Sequence, residues 1–220
     1  MKQISFINGS PRGNNSFSFT LLKQLETITK GEKYFINTNF KGKYDDEVFK
    51  KLANSDDIII AFPLYYYCIP GILLNLLEQY YKYNINKKGN SANVYVIVNC
   101  GFPEPQINDE AINVIRNFSS KVGFNFRFAI SIGSGGFIDA TKNIPVFNKN
   151  MKNINNALER IKNDIYDQCK KQFCDDIMLE PSSPRWLVLF FSGRSWYPLG
   201  KKNGLSKKDL YRRPYVEERY

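Results

Sequence analysis

The run Ile58-Ile59-Ile60-Ala61-Phe62, framed by Asp56-Asp57 and Pro63, limits the possible folds more than any other stretch. It has no polar residue in alternation, so a strand built from it has no face for water. Such strands belong to parallel sheets covered by helices on both sides. The rest of the chain fits this. Ile4–Ile7, Lys33–Thr38, Asn93–Val98 and Phe124–Ile132 read as further strands. Between them, apolar residues return every three or four positions: Leu21, Leu22, Leu25 and Ile28; Leu73, Leu76, Leu77 and Tyr80; Ile107, Ala111, Ile115, Phe118 and Val122. A short helix is expected over Asp45–Ala53 and a long one over Met151–Phe173, with Met151, Ile154, Leu158, Ile161 and Ile165 on one face. Five strands alternating with helices predict an α/β domain with a doubly wound, five-stranded parallel sheet. Ligands of such sheets sit outside the carboxyl ends of the strands, where the strand order reverses.

Composition narrows the chemistry. The chain of 220 residues has no histidine, which removes Ser-His-Asp and Cys-His catalysis and most transition-metal sites. Hydride transfer is untouched, because there a cofactor carries the chemistry. Cys68, Cys100, Cys169 and Cys174 contain no CxxC pair; free thiols are expected, with Cys100 an inert buried residue, and the last two cysteines share the long helix. Pro181-Ser182-Ser183-Pro184 reads as a linker that divides a domain over 1–180 from an extension over 181–220. Trp186–Phe191 in that extension reads as a short strand or helix. Residues 185–220 carry nine Lys/Arg against three Asp/Glu, so much of the net charge of +10 lies there. No signal peptide is read at the start, and no apolar run approaches the roughly 20 residues of a membrane helix. The expectation is a cytoplasmic protein without a transmembrane segment.

Three loops are expected to meet at the strand ends. The first, Gly9-Ser10-Pro11-Arg12-Gly13-Asn14-Asn15-Ser16-Phe17-Ser18, runs from a strand into a helix N-terminus. Free N–H groups, the helix dipole, hydroxyls and the Arg12 guanidinium make it a cradle for an anion such as phosphate. The Gly spacing matches neither a Walker A loop nor the dinucleotide fingerprint. The second loop, Pro63 to Pro70, offers Leu64, Tyr65, Tyr66 and Tyr67. The third offers Asn99, Cys100, Gly101 and Phe102. Gly133–Gly136 reads first as a turn.

At these residues the chain resembles the flavodoxin-like NAD(P)H-dependent FMN reductase and quinone reductase family. The resemblance rests on GSPRGNNSFS (Gly9–Ser18), DDIIIAFPLYYYCIPGILLNLLE (Asp56–Glu78) and NCGFPEP (Asn99–Pro105). It implies a flavodoxin-like three-layer sandwich. It also implies FMN held at its phosphate by Ser10, Arg12, Ser16, Phe17 and Ser18, along its ribityl chain and ring by Pro63, Leu64, Tyr65 and Tyr66, and at the isoalloxazine edge by Asn99, Cys100, Gly101 and Phe102. Phe17 stands where many relatives have Asn, so its contact is expected through the backbone. The implied activity takes hydride from NADH or NADPH to a quinone, a nitro or azo compound, a metal ion or a protein acceptor. No side chain is required as acid or base. A homodimer is expected, with a small-molecule acceptor as partner. Two alternatives stand beside it: a flavodoxin-type electron carrier, which the basic charge disfavours, and a nucleic-acid or anionic-surface binder acting through the tail. Nucleic acid is the less expected partner.

Overall fold

The computed structural model of the chain describes residues 1–85, 91–167, 174–194 and 196–213. Its centre is one parallel sheet. Strands β1 (Gln3–Asn8), β2 (Glu32–Asn37), β3 (Asp57–Pro63), β4 (Asn93–Asn99), β5 (Asn125–Ile132) and β6 (Ile177–Leu179) lie in the order β2-β1-β3-β4-β5-β6. Every pairing is parallel, with Phe6 beside Ile59 and Ile60 beside Val96. The first five positions of this order are those of the flavodoxin-like fold.

The sheet has six strands where five are expected. The added β6 is three residues long, too short to carry a periodicity that sequence could reveal. It is held by pairing of Ile177 to Leu179 with Ile130 to Ile132. The Asp176 carboxylate supports it by accepting the Ala129 N–H at 2.7 Å.

The helices are α1 (Phe17–Ile28), α2 (Asp46–Asn54), α3 (Gly71–Asn84), α4 (Asp109–Val122), α5 (Gly135–Thr141), α6 (Asn148–Tyr166), α7 (Arg185–Arg194) and α8 (Trp196–Lys202). Helices α2, α3 and α4 bury Phe49, Leu52, Leu73, Leu76, Leu77, Tyr80, Ile112 and Ile115 against one sheet face, which supplies Ile7, Ile58, Ile60, Phe62, Val94, Val96 and Val98. Helix α1 packs with α5 and α6, burying Leu21, Leu22, Leu25, Ile154, Leu158 and Ile161. The central run behaves as its composition demands: Ile58 to Phe62 are all buried, none more than 1% exposed. A buried ion pair ties α6 to the sheet. Arg127 donates to both oxygens of Asp164 at 2.9 Å, and the Tyr95 hydroxyl donates to the same carboxylate at 2.7 Å.

Other differences are local. The long helix begins at Asn148 and ends at Tyr166; the remainder of its expected span, 168–173, and Cys169 lie outside the described residues. Cys174 precedes β6 in irregular backbone and is not on a helix. The Gly133–Gly136 turn is shorter than expected, because Gly135 already opens α5. Trp186–Phe191 is helical, inside α7. Contacts divide the chain into two units, Met1–Ser182 and Ser183–Tyr220. Cys68, Cys100 and Cys174 are free thiols. Among the described residues no helix is long and apolar enough to cross a membrane, and none of their His, Cys, Asp and Glu side chains cluster as a metal site.

Candidate cofactor site at the strand ends

Strands β1 and β3 are neighbours, but their following connections diverge, one leading by α1 to β2 and the other by α3 to β4. That divergence is the switch point, and the loops after β1, β3 and β4 all open there.

The β1–α1 loop is organised by Asn8, a fully buried residue at the end of β1. Its amide donates to the Gly13 carbonyl at 3.0 Å and to Asn37 at 2.9 Å, and its oxygen accepts the Ser10 N–H at 3.2 Å. Gly13 sits at φ +56°, a left-handed position that glycine adopts without steric cost. Ser16 is the N-cap of α1. Its hydroxyl accepts the Phe19 N–H at 3.1 Å and donates to the Gly13 carbonyl at 2.7 Å. The Ser10 hydroxyl accepts the Arg12 N–H at 3.3 Å. The Ser10 and Ser16 hydroxyls therefore both bond within the loop.

Several donors remain for a ligand, the Ser10 hydroxyl proton among them, since that oxygen only accepts. The N–H groups of Phe17 and Ser18, in the first turn of α1, have no acceptor among the described residues. The Ser18 hydroxyl accepts from the Asn99 amide at 3.1 Å, which leaves its own proton to give. The Arg12 side chain is exposed and has no hydrogen-bond or ion-pair partner among the described residues. No carboxylate lies in residues 9–18. These donors suit an anion, and the helix dipole adds to them.

The three loops interlock. The Leu64 N–H donates to the Asn99 carbonyl at 2.8 Å, and the Asn99 amide also reaches the Phe62 carbonyl at 3.3 Å. Asn99 thus links β3, β4 and α1. Gly135 approaches Asn99 so closely that an added Cβ would stand 2.7 Å from its amide oxygen. Cys100 is buried, and burial pushes its thiol pKa up. Its sulfur lies 3.4 Å from the Phe102 carbonyl, so the reading of an inert packing residue suits its place.

In the β3–α3 loop, Tyr65 and Cys68 exchange backbone hydrogen bonds of 3.0 and 2.9 Å around a two-residue turn. The turn residues Tyr66 and Tyr67 have φ of +47° and +61°. Both are in the left-handed region, the type I′ pattern ordinarily filled by Asn-Gly. Tyr66 is 99% exposed. The Tyr67 ring stacks on Phe102, with centroids 6.1 Å apart and planes 22° from parallel.

All thirteen residues expected at the site thus lie in the loops, the strand ends or the first turn of α1 at this one edge. Ser18 meets Asn99 directly, Pro63 is Asn99's partner in the ladder, and Leu64 bonds it. Ser10, Arg12, Ser16, Tyr65, Tyr66, Cys100, Gly101 and Phe102 are carried on the connected loops, and Phe17 opens α1. Sequence reasoning missed Asn8 as the organiser of the first loop, Tyr67 as Phe102's stacking partner, and Ser134. The Ser134 hydroxyl is buried and has no hydrogen-bond partner among the described residues, on a left-handed residue beside the third loop. An Asn directly before Gly at a strand end was the one available signal for Asn8.

An apolar groove of about 510 Å³ lies elsewhere, between α3 and α4, lined by Leu74, Leu77, Tyr81, Val114 and Phe118. It belongs to a helical layer and not to the strand ends.

No family model matches the chain, and no curated protein matches it by sequence. Solved structures do match. General stress protein 14 from Treponema denticola, in complex with FMN, is 12% identical with a TM-score of 0.58, over 75% of this chain and 99% of the other. An NADH:FMN oxidoreductase in its apo form is 15% identical with a TM-score of 0.54, over 86% and 99%. An NADPH-quinone reductase from P. pentosaceus is 15% identical with a TM-score of 0.53, over 74% and 98%. At these identities the likeness concerns architecture, and with the observed strand order it establishes that the chain has the flavodoxin-like fold.

Proposed function

We propose that this chain is an FMN-dependent oxidoreductase that uses NADH or NADPH. One observation carries the reading. At the switch point of a flavodoxin-like sheet, the β1–α1 loop presents two free N–H groups, the Ser18 hydroxyl and the Arg12 guanidinium, with no carboxylate among them. This donor set fits a phosphate monoester. The names of structural neighbours, an FMN complex among them, support the choice of flavin.

In this reading the Phe17 and Ser18 N–H groups and Arg12 hold the phosphate, with Ser10 and Ser16 shaping the loop around it. Asn99 fixes the three loops to one another, and with Pro63, Leu64, Cys100 and Gly101 it forms the wall along the ribityl chain and ring. Tyr65, Tyr66 and Phe102 supply exposed aromatic surface on which a flat ligand could lie. The two-electron chemistry, hydride in from NAD(P)H and electrons out to an acceptor, is what FMN supplies when bound. The chain's own work is placement and electrostatics, which agrees with a protein lacking histidine. A small flat acceptor such as a quinone or an azo compound suits the exposed aromatic loop. Two copies pairing in solution is the assembly we propose. Its support is the groove between α3 and α4, where Leu74 and Tyr81 remain exposed.

Titration of the purified protein with FMN, followed by steady-state oxidation of NADH and NADPH, tests the function. Stoichiometric FMN binding with turnover of either nicotinamide is the expected result. FMN binding without turnover points to the electron carrier, and failure to bind any flavin overturns the reading.

A further inference from the structure

None of the residues named for that site lies in the unit Ser183–Tyr220, and the surface of this unit is unusual. In α7, Trp186, Leu189 and Phe190 are 69%, 51% and 47% exposed. They stand at positions i, i+3 and i+4 and so form one stripe along the helix. Trp196 and Leu199 of α8, which contacts α7, are 63% and 50% exposed. Cations surround this apolar surface. Arg194 lies 4.2 Å over the Phe190 ring, Lys207 lies 5.1 Å over the Tyr197 ring, and Lys201 and Lys202 close α8.

We infer that this unit docks on a bilayer surface carrying anionic phospholipid. Its exposed apolar stripe would enter the headgroup region and its Lys and Arg would face the phosphates. Trp is enriched at the membrane–water interface, where Lys and Arg can reach the headgroups. The ten residues of α7 extend only about 15 Å, half the hydrocarbon thickness, so the helix can lie on the membrane but not cross it. Charge selects this occupant over the others. A second copy of the unit would bring the same positive surface, nine Lys/Arg against three Asp/Glu over 185–220, against itself. The remainder of the chain has a surplus of Lys and Arg too, so its net charge does not attract this unit. A nucleic acid would satisfy the cations but leave Leu189 and Leu199 against a polar, wet interface.

The chain's two tryptophans, Trp186 and Trp196, are both in this unit, so intrinsic fluorescence reports on it alone. The experiment mixes the full chain with vesicles of phosphatidylcholine, or of equal phosphatidylcholine and phosphatidylglycerol, and reads emission wavelength and co-sedimentation. A blue shift and at least about tenfold tighter binding to the anionic vesicles are expected, weakened by 0.5 M salt. Trp186→Ser with Phe190→Ser should abolish the shift from position 186 and reduce binding, and Lys201→Gln with Lys202→Gln should reduce the preference for anionic lipid. Each change is at an exposed position, and unchanged circular dichroism would confirm folding. The proposal falls if no vesicle binds, if both vesicle types bind equally, if duplex DNA displaces the anionic vesicles, or if the tryptophans are already blue-shifted in a self-associated form that vesicles leave unchanged. Flavin content and NAD(P)H oxidation are separate readouts, so this result and that of the proposed function are independent.

Discussion

The loops after β1 and β3 flank the same switch point, and they handle left-handed backbone in opposite ways. The β1–α1 loop gives its left-handed position to Gly13 and surrounds it with bonds from Asn8 and Ser16. The β3–α3 loop gives two such positions to Tyr66 and Tyr67. An L-residue with a side chain is disfavoured there by roughly 1–2 kcal/mol. What holds the tyrosines is the pair of Tyr65–Cys68 hydrogen bonds and the Tyr67–Phe102 stack. The first loop is relaxed and presents donors; the second is strained and presents rings. Strain of this kind collects where a ligand is clamped. In the proposed reading the first loop serves an anion and the second a flat apolar partner.

The largest expected effect breaks the first half of this contrast. Removing a charge-assisted contact costs about 1.5–3 kcal/mol, so Arg12→Ala should weaken FMN binding roughly 10- to 100-fold. Riboflavin, which lacks the phosphate, should bind as before. Equal weakening of both flavins, measured by fluorescence titration, would refute the assignment.

The second test acts on the strained loop. Tyr66→Asn with Tyr67→Gly installs the preferred turn pair. Relief of about 1–2 kcal/mol at each position outweighs the lost stack, about 0.5–1.5 kcal/mol, and the entropy of the new glycine, about 0.5–1 kcal/mol. A net gain of about 1 kcal/mol in denaturant unfolding is expected, together with weaker binding of FMN and riboflavin alike. A loss of stability would mean that the tyrosines are not strained in place.

Gly13→Ala is the converse change. No atom lies within 4 Å of the added Cβ, so only backbone strain operates, and a loss of roughly 1 kcal/mol is expected. An unchanged melting temperature would erase the distinction between the loops. The smallest effect is set by Ser16→Ala. Loss of the N-cap should cost about 1 kcal/mol or slightly less, since the backbone turn from Gly13 persists. Replacement by Asp, which also caps, should restore stability while weakening FMN more than riboflavin, because a carboxylate then faces the phosphate. Restored stability with unaltered flavin preference would place the anion elsewhere.

Much of the site was legible because its signals are local. A strand running into Gly-Ser-Pro-Arg and then a helical repeat specifies a loop at a helix N-terminus, whatever the rest of the chain does. Pro63 and Pro70 mark the ends of the second loop in the same way. The strained tyrosine turn was not legible, since Tyr-Tyr carries none of the residue signals of a type I′ turn. The stack of Tyr67 on Phe102 joins two loops that are distant in sequence.

By itself, then, the sequence determined the layer architecture, the parallel sense of the central strands and the identity of the donor-rich loop. Those follow from apolar runs, helical spacing and chain chemistry within short windows, where local preference and burial agree. Tertiary structure alone decided three further matters. It recruited Ile177–Leu179 as a sixth strand, because an exposed β5 edge can pair with a segment too short to declare itself. It made Asn8 and Asn99 the organisers of the site, because a buried amide must find partners and those partners come from separate strands and loops. It also left Phe17 and Ser18 with free N–H groups while committing the Ser16 hydroxyl proton to the Gly13 carbonyl, because which donors remain for a ligand depends on which acceptors the folded chain has already brought within reach.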